Sequence, residues 1–404
     1  MTYDAVLTVP RPRVPESATG VRGNGTEQSG RPSTGRLVGV DLARGLAVFG
    51  MFAAHVGPDP AKGGVTGFLM ELAHGRSSAL FALLAGFAVV LITGRRAPKT
   101  GQAGRQAVAK VIIRAVILLA VGSALTMWGA PVDVILAFYG LYFLLVLPLY
   151  RLSAGPLAAL AVGTALVFPQ LDYVLTPLVS TGPSAAGRPD GLVSLLVTGS
   201  YPALTWLPFV LAGMAVARLD LTSAVVRSRI ALTGAGLAVV GYGGSWLALH
   251  LVPGALEAIG ASGAGDAAGS AWWSDVAGYP AGTTPAWLLA ASPHSETTLS
   301  ILANAGVAIA VLALCLSAVD AFPRLRRLAR PVIAVGTMSM TAYVAHIIAI
   351  QALGIDELPG PALHVLLGFI VAVAAFATLW SRSFQRGPLE WVMGRATGIA
   401  RHIP

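Results

Sequence analysis

Arg44-GLAVFGMFAA-His55 is the stretch on which the fold turns. It lies in an apolar run over 37–57, long enough at about 1.5 Å per residue to cross a bilayer as a helix. Eleven residues at about 100° each make roughly three turns, so both side chains share one helix face, about 16 Å apart along the axis. A guanidinium near a bilayer centre costs at least about 2.5 to 3.5 kcal/mol, so such a stripe is expected to face a polar cavity inside a bundle. Arg44 and His55 are therefore functional candidates.

The rest of the composition agrees with a membrane setting. Of 404 residues only 11% are charged and 55% are hydrophobic, with a mean hydropathy of +0.73, which indicates a polytopic membrane protein. The first 36 residues are rich in Pro, Gly, Ser, Thr and Arg and lack the apolar core of a signal peptide. They read as a disordered cytoplasmic tail, followed by a transmembrane domain over 37–381 and a cytoplasmic segment over 382–404. The segment 253–297 lacks the periodicity to bury a core of its own and reads as a loop. The lone Cys315 excludes an intramolecular disulfide and a cysteine-based metal site. No His-x-Glu cluster, phosphate-binding Gly-rich loop or other nucleotide motif occurs, so neither a metal centre nor ATP-driven transport is expected.

Apolar runs place ten helices, near 37–57, 77–94, 108–128, 131–150, 154–171, 201–218, 230–252, 297–319, 331–354 and 361–381. The expected fold is an all-α, ten-helix membrane bundle with both termini on one side. The net charge of +9 falls in alternate loops, as orientation signals do, and so does not call for a nucleic-acid partner. Arg95, Arg96, Lys99, Arg105 and Lys110 share a side with both termini, whereas the opposite loops hold Lys62, Arg76 and Arg188. The positive-inside rule makes the former side cytoplasmic. Asp41 and Arg44 then lie toward the cytoplasm and His55 toward the exterior. The outer loops 57–76, 172–200 and 253–297, with Trp272 and Trp273, would suit a mobile cap over an outward-facing cavity.

Asp41-LA-Arg44-Gly45 followed by His55 resembles the first span of the transmembrane acyltransferase superfamily, which includes heparan-alpha-glucosaminide N-acetyltransferases and bacterial enzymes that O-acetylate surface glycans. The bacterial enzymes have an arginine, ten residues and a histidine there. The heparan enzymes instead have asparagine at the position of His55 and a catalytic histidine in the next luminal loop, where this chain has His74. His74-GRSSALFALLAG-Phe87, Gly336-TMSMTA-Tyr343 and Gly387-PLE-Trp391 are similar to the YeiB-like group of that superfamily. The resemblance implies a ten-span inner-membrane protein that takes an acetyl group from cytoplasmic acetyl-CoA to an extracytoplasmic sugar or glycan. No metal is implied, and an oligomer is compatible with it.

Such a transfer needs a base on the outer side and cations on the inner side. An imidazole, with an ordinary pKa near 6.5, removes a proton at neutral pH, and His55 is the candidate general base or acetyl carrier. Arg44 either holds CoA phosphates or pairs with Asp41 one turn away. Lys110 and Arg114, four apart, form either a phosphate clamp or snorkelling topology determinants. His346, near the middle of the ninth span, is either part of an acyl-transfer tunnel or a satisfied core histidine. Glu71, His74 and Arg76 before the second span, and His294 with Glu296 before the eighth, offer acceptor contacts or an acid–base pair, and capping explains them equally well. Trp391 and Glu390 read as an interfacial anchor. The rival functions are a small-solute transporter or exporter using the same channel, and a catalytically inactive scaffold.

Overall fold

The protein is described from a computed structural model covering residues 37–180, 191–274, 284–355 and 360–404. The expected tail, 1–36, and Arg188 lie outside the described residues. The helices in chain order are α1 (Val38–Val56), α2 (Gly64–Glu71), α3 (Arg76–Thr93), α4 (Gly101–Met127), α5 (Ile135–Val146), α6 (Ala154–Ser180) and α7 (Gly191–Val193). They continue with α8 (Ala203–Arg218), α9 (Ala224–Leu251), α10 (Ala255–Ile259), α11 (Thr298–Ala321), α12 (Pro323–Leu328), α13 (Arg330–Thr337), α14 (Ser339–Leu353), α15 (Leu363–Ser383) and α16 (Pro388–Gly398). Among the described residues there is no strand. An all-helical chain is what lipid demands, because an α-helix satisfies its backbone polar groups within one segment.

Each of the ten apolar runs falls on helix. Among the described residues seven helices are long and apolar enough to cross a membrane singly, and two further spans are bent pairs. The remaining run, 131–150, is shorter, α5 continued by a 3-10 turn to Arg151. Burial sorts the helices by position: the span windows of α1 and α11 are 61% and 67% buried, those of α6, α9 and α15 only 22%, 17% and 17%. The first two form the core together with α3, whose span with α2 is 72% buried, and the last three present Leu, Val and Phe to lipid. α1 packs against α3, α11, α13, α14 and α15. Small residues allow the closest approaches, as is general for helices in lipid. Gly86 on α3 meets the Val210 carbonyl on α8, and Gly213 on α8 meets the Leu83 carbonyl on α3, reciprocally.

Four expectations need correction. The run 331–354 is not one straight span: α13 and α14 are bent by 89° at Met338. The freed donors at the start of α14 are taken up by Glu390, which accepts from the backbone N–H of Met340 (2.8 Å) and Thr341 (3.2 Å) and from the Thr341 hydroxyl (2.6 Å). Glu390 is thus a helix cap delivered from α16, rather than an interfacial charge. The run 201–218 likewise begins in a bend, of 65°, between 191–198 and α8.

The segment after α9 also builds a core, contrary to its reading as a loop. Leu249, Ala255, Ile259, Ala268, Ala271, Trp287 and Ala290 are buried together. One large residue compensates for the absent periodicity: Trp287 is 1% exposed, and its Nε1 donates to Ser262 Oγ at 2.8 Å. Arg76 pins this segment to α3, donating to the Trp273 carbonyl at 2.5 Å and to the Tyr242 hydroxyl at 2.8 Å. Tyr242 passes the contact on to Asn304 of α11 at 2.9 Å.

Candidate active site

α1 runs between two cavities that have no lining residue in common. The smaller, about 200 Å³, is lined by Arg44, by Arg114 of α4, by Tyr139 and Phe143 of α5 and by Glu390. Arg44 Nη1 stands 3.4 Å from Asp41 Oδ1 and 3.4 Å from the Gly336 carbonyl. The ion pair expected one turn away is therefore present, and the same guanidinium also borders the cavity. Gly336 and Gly45 permit this: a Cβ on Gly336 would overlap the Asp41 carbonyl, and one on Gly45 the Val332 carbonyl. Lys110 does not line the cavity. It lies one helical turn, about 6 Å, nearer the start of α4 than Arg114, so of the two residues Arg114 alone borders this space.

The larger cavity, about 1180 Å³, contains His55, His74 and His294 in its wall, with Ser78, Asp133 and Tyr201. Three histidines from α1, the turn before α3 and the loop before α11 thus converge on one space. Glu71 and Arg76 do not join them. They form an ion pair at 3.8 Å, 2% and 7% exposed respectively, and Arg76 Nη1 donates to the Glu71 carbonyl at 2.6 Å. Their work is to hold the outer segment to α3.

His294 and Glu296 both have left-handed backbone, φ +57° and +56°, which costs a non-glycine residue energy that its surroundings must supply. The supply is visible. Glu296 accepts from Thr205 Oγ1 at 2.9 Å and from Trp206 Nε1 at 3.0 Å, while Tyr201 and Trp206 flank the His294 ring at 5.5 and 5.8 Å. Burial pushes the Glu296 carboxyl well above the ordinary carboxylate range; Asp172 adds to the shift, and the bonds from Trp206 and Thr205 oppose it.

His346 is 1% exposed and lines neither cavity. Its Nε2 lies 2.9 Å from His55 Nδ1, and the two ring planes are within 11° of each other. Its Nδ1 contacts the Tyr343 carbonyl. A carbonyl only accepts, so His346 Nδ1 carries the proton and its Nε2 is an acceptor. His55 Nδ1 must then donate, which leaves His55 Nε2 with a free lone pair, on a ring in the wall of the larger cavity. A base oriented by a second group is the arrangement that proton abstraction requires.

The fold and this site define a multi-pass membrane protein with a hydrogen-bonded histidine pair at the wall of its larger cavity. Residues 36–242 match the family described as heparan-alpha-glucosaminide N-acetyltransferase, catalytic, and residues 268–400 match the family described as protein of unknown function (DUF418), the YeiB-like group. The first match spans just over half of the 404 residues, and the chain belongs to this membrane acetyltransferase-type family. No curated protein matches the chain. His55 lies in the first matched region and His346 in the second, so the hydrogen-bonded pair joins the two.

Proposed function

We propose that the protein transfers an acetyl group from cytoplasmic acetyl-CoA to a hydroxyl or amine of a sugar or glycan outside the inner membrane. The observation that carries this reading is the His55–His346 hydrogen bond at the larger cavity, on the same helix whose other end puts Arg44 in the smaller one. The distribution of Lys and Arg supports a cytoplasmic side for the Arg44 cavity and an extracytoplasmic side for the His55 cavity.

The residues fit such a donor. Arg44 and Arg114 are suited to its anionic end by charge-assisted hydrogen bonds. A space of about 200 Å³, below the roughly 300 Å³ of a typical small-molecule site, suits the narrow arm and the phosphates that adjoin it and leaves the adenosine outside. Bound there, acetyl-CoA would supply the activated acyl carbon. His55 Nε2 would take the proton from the acceptor O–H or N–H as the new bond to that carbon forms; the C–S bond breaks, and the thiolate leaves to be reprotonated. His74 and His294, in the wall of the same cavity, would bind the acceptor.

A solute exporter is the second reading, and the bent pairs at 191–218 and 330–353 favour it, since broken helices recur in transporters. It requires one site open in turn to both sides, whereas here the two cavities have separate walls. The deciding experiment compares wild type with His55→Ala, following acetyl-CoA binding and release of CoA thiol in the presence of membrane glycans. Loss of a general base costs about 10²- to 10⁴-fold in rate, with binding retained because the donor's charges sit about 16 Å away. Near-normal turnover in the alanine variant removes His55 from the chemistry.

A further inference from the structure

Tyr139 is 3% exposed, in the apolar run of α5, and its hydroxyl has no hydrogen-bond partner among the described residues. Neighbouring buried tyrosines differ. Tyr142 donates to the Tyr201 carbonyl at 2.5 Å, and Tyr343 accepts from Ile135 N–H at 3.2 Å and donates to the Asp133 carbonyl at 3.4 Å. A buried hydroxyl without a partner is costly, and phenylalanine would fill the same volume without that cost. The chain uses phenylalanine close by, at Phe81 and Phe143, in the wall of the same cavity. Tyr139 is itself a wall residue of the space that holds Arg44 and Arg114.

Position sharpens the point. The Tyr139 ring stacks on Phe81 at 5.4 Å, Phe81 on Tyr343 at 6.5 Å, and Tyr343 meets His346 edge-on at 5.1 Å. A ligand held by Tyr139 therefore lies at the inner end of a row of rings that finishes on the His55 pair. A donor hydroxyl in such low-dielectric surroundings is suited to a carbonyl acceptor. We infer that the Tyr139 hydroxyl donates to an amide or thioester carbonyl of an acyl-pantetheine arm, whose anionic end is held by Arg44 and Arg114. This rests on the function proposed above and adds to it the group that reads the arm.

The test measures binding of two probes to the detergent-purified protein: acetyl-CoA, and the nucleotide end of CoA without its pantetheine arm. Tyr139→Phe removes one oxygen and should weaken acetyl-CoA about three- to tenfold, the span of one neutral hydrogen bond, while the nucleotide end binds as before. Equal acetyl-CoA affinity in the two proteins, or an equal loss for both probes, overturns the role of Tyr139. Wild type that binds neither probe overturns the donor itself, and so the function proposed above. A thermal melt of the variant matching wild type, together with the selective loss, supports the assignment. Should the Phe variant fold poorly, infrared spectra of wild type with carbonyl-labelled acetyl-CoA decide: a red-shifted carbonyl band supports the hydrogen bond, and an unshifted one overturns it.

Discussion

His55 and His346 are 291 positions apart in the chain and 2.9 Å apart in space, joined nitrogen to nitrogen. The contact makes the tautomer of a cavity-lining residue depend on a buried one, which in turn is set by the Tyr343 carbonyl. On the proposed function, His346 would act as a positioning residue. His346→Leu should lower turnover at least about tenfold, less than loss of the base itself, with acetyl-CoA affinity unchanged. His346→Gln, whose amide oxygen can still accept from His55, should recover part of the rate. A glutamine variant as slow as the leucine variant would reduce His346 to a packing role.

Arg44 serves two neighbours, the Asp41 carboxylate and the smaller cavity. Arg44→Ala should weaken acetyl-CoA binding at least about tenfold, on the order of 1.5 kcal/mol for a charge-assisted contact. Asp41→Asn should leave that affinity in place. Calorimetry on both variants separates the roles: unchanged affinity with a lower melting temperature in the alanine variant would assign Arg44 to the ion pair alone.

Glu296 provides a pH signature. Its folded carboxyl titrates well above the unfolded value of about 4.3, so above that pH the unfolded chain has lost a proton which the folded protein still holds. Stability from this group is thus complete below about pH 4.3 and declines as pH rises toward the folded pKa. Asp172 and Tyr142 are the other titratable groups coupled to it, and His294 shares a cavity wall with it. Glu296→Gln should melt higher than wild type at pH 8, and the difference should shrink toward pH 4. A difference that grows on acidification would contradict the assignment.

Gly336 sets the spacing of α1 and α13, since a Cβ there overlaps the Asp41 carbonyl and comes within 2.9 Å of Gly45 N. The neighbour is backbone and cannot rotate away. Gly336→Ala should cost about 1 to 3 kcal/mol as an overpacked contact, lower the melting temperature and disturb ligand binding beside Arg44. An unaltered melt would show that the two helices separate freely.

Sidedness is open to direct measurement. A reporter fused after Pro404 should be active only in the cytoplasm, following the Lys and Arg distribution. Activity confined to the exterior would exchange the donor and acceptor cavities.

The helices were legible in the sequence because lipid imposes a simple rule: a run of about 20 apolar residues must be helical. The Arg44–His55 stripe was legible for the same reason, as helical spacing places residues eleven apart on one face. What escaped depends on tertiary contact. Nothing local to Met338 announces a bend of 89°, because the acceptor that makes it affordable, Glu390, arrives from another helix. His346 could be picked out as an ionisable residue in a span, yet its partner could not. Tyr139 gave no signal at all within Ile135-LAFYGLYFLL-Val146, where its hydroxyl matters only once the neighbouring tyrosines are seen to be satisfied. The core around Trp287 escaped because one tryptophan and several alanines make no periodic pattern.

The separate walls of the two cavities have an electrical consequence. A membrane under voltage loses about 2.3 kcal/mol for each elementary charge that slips across 100 mV, so any pore through a transferase would drain the cell it serves. Here neighbouring residues of α5 line the two spaces separately, Leu136 and Tyr139 the smaller and Ala137 and Phe138 the larger, and a neutral acetyl group would carry no current between them. The protein is therefore expected to act as an electrical insulator in the membrane that holds it.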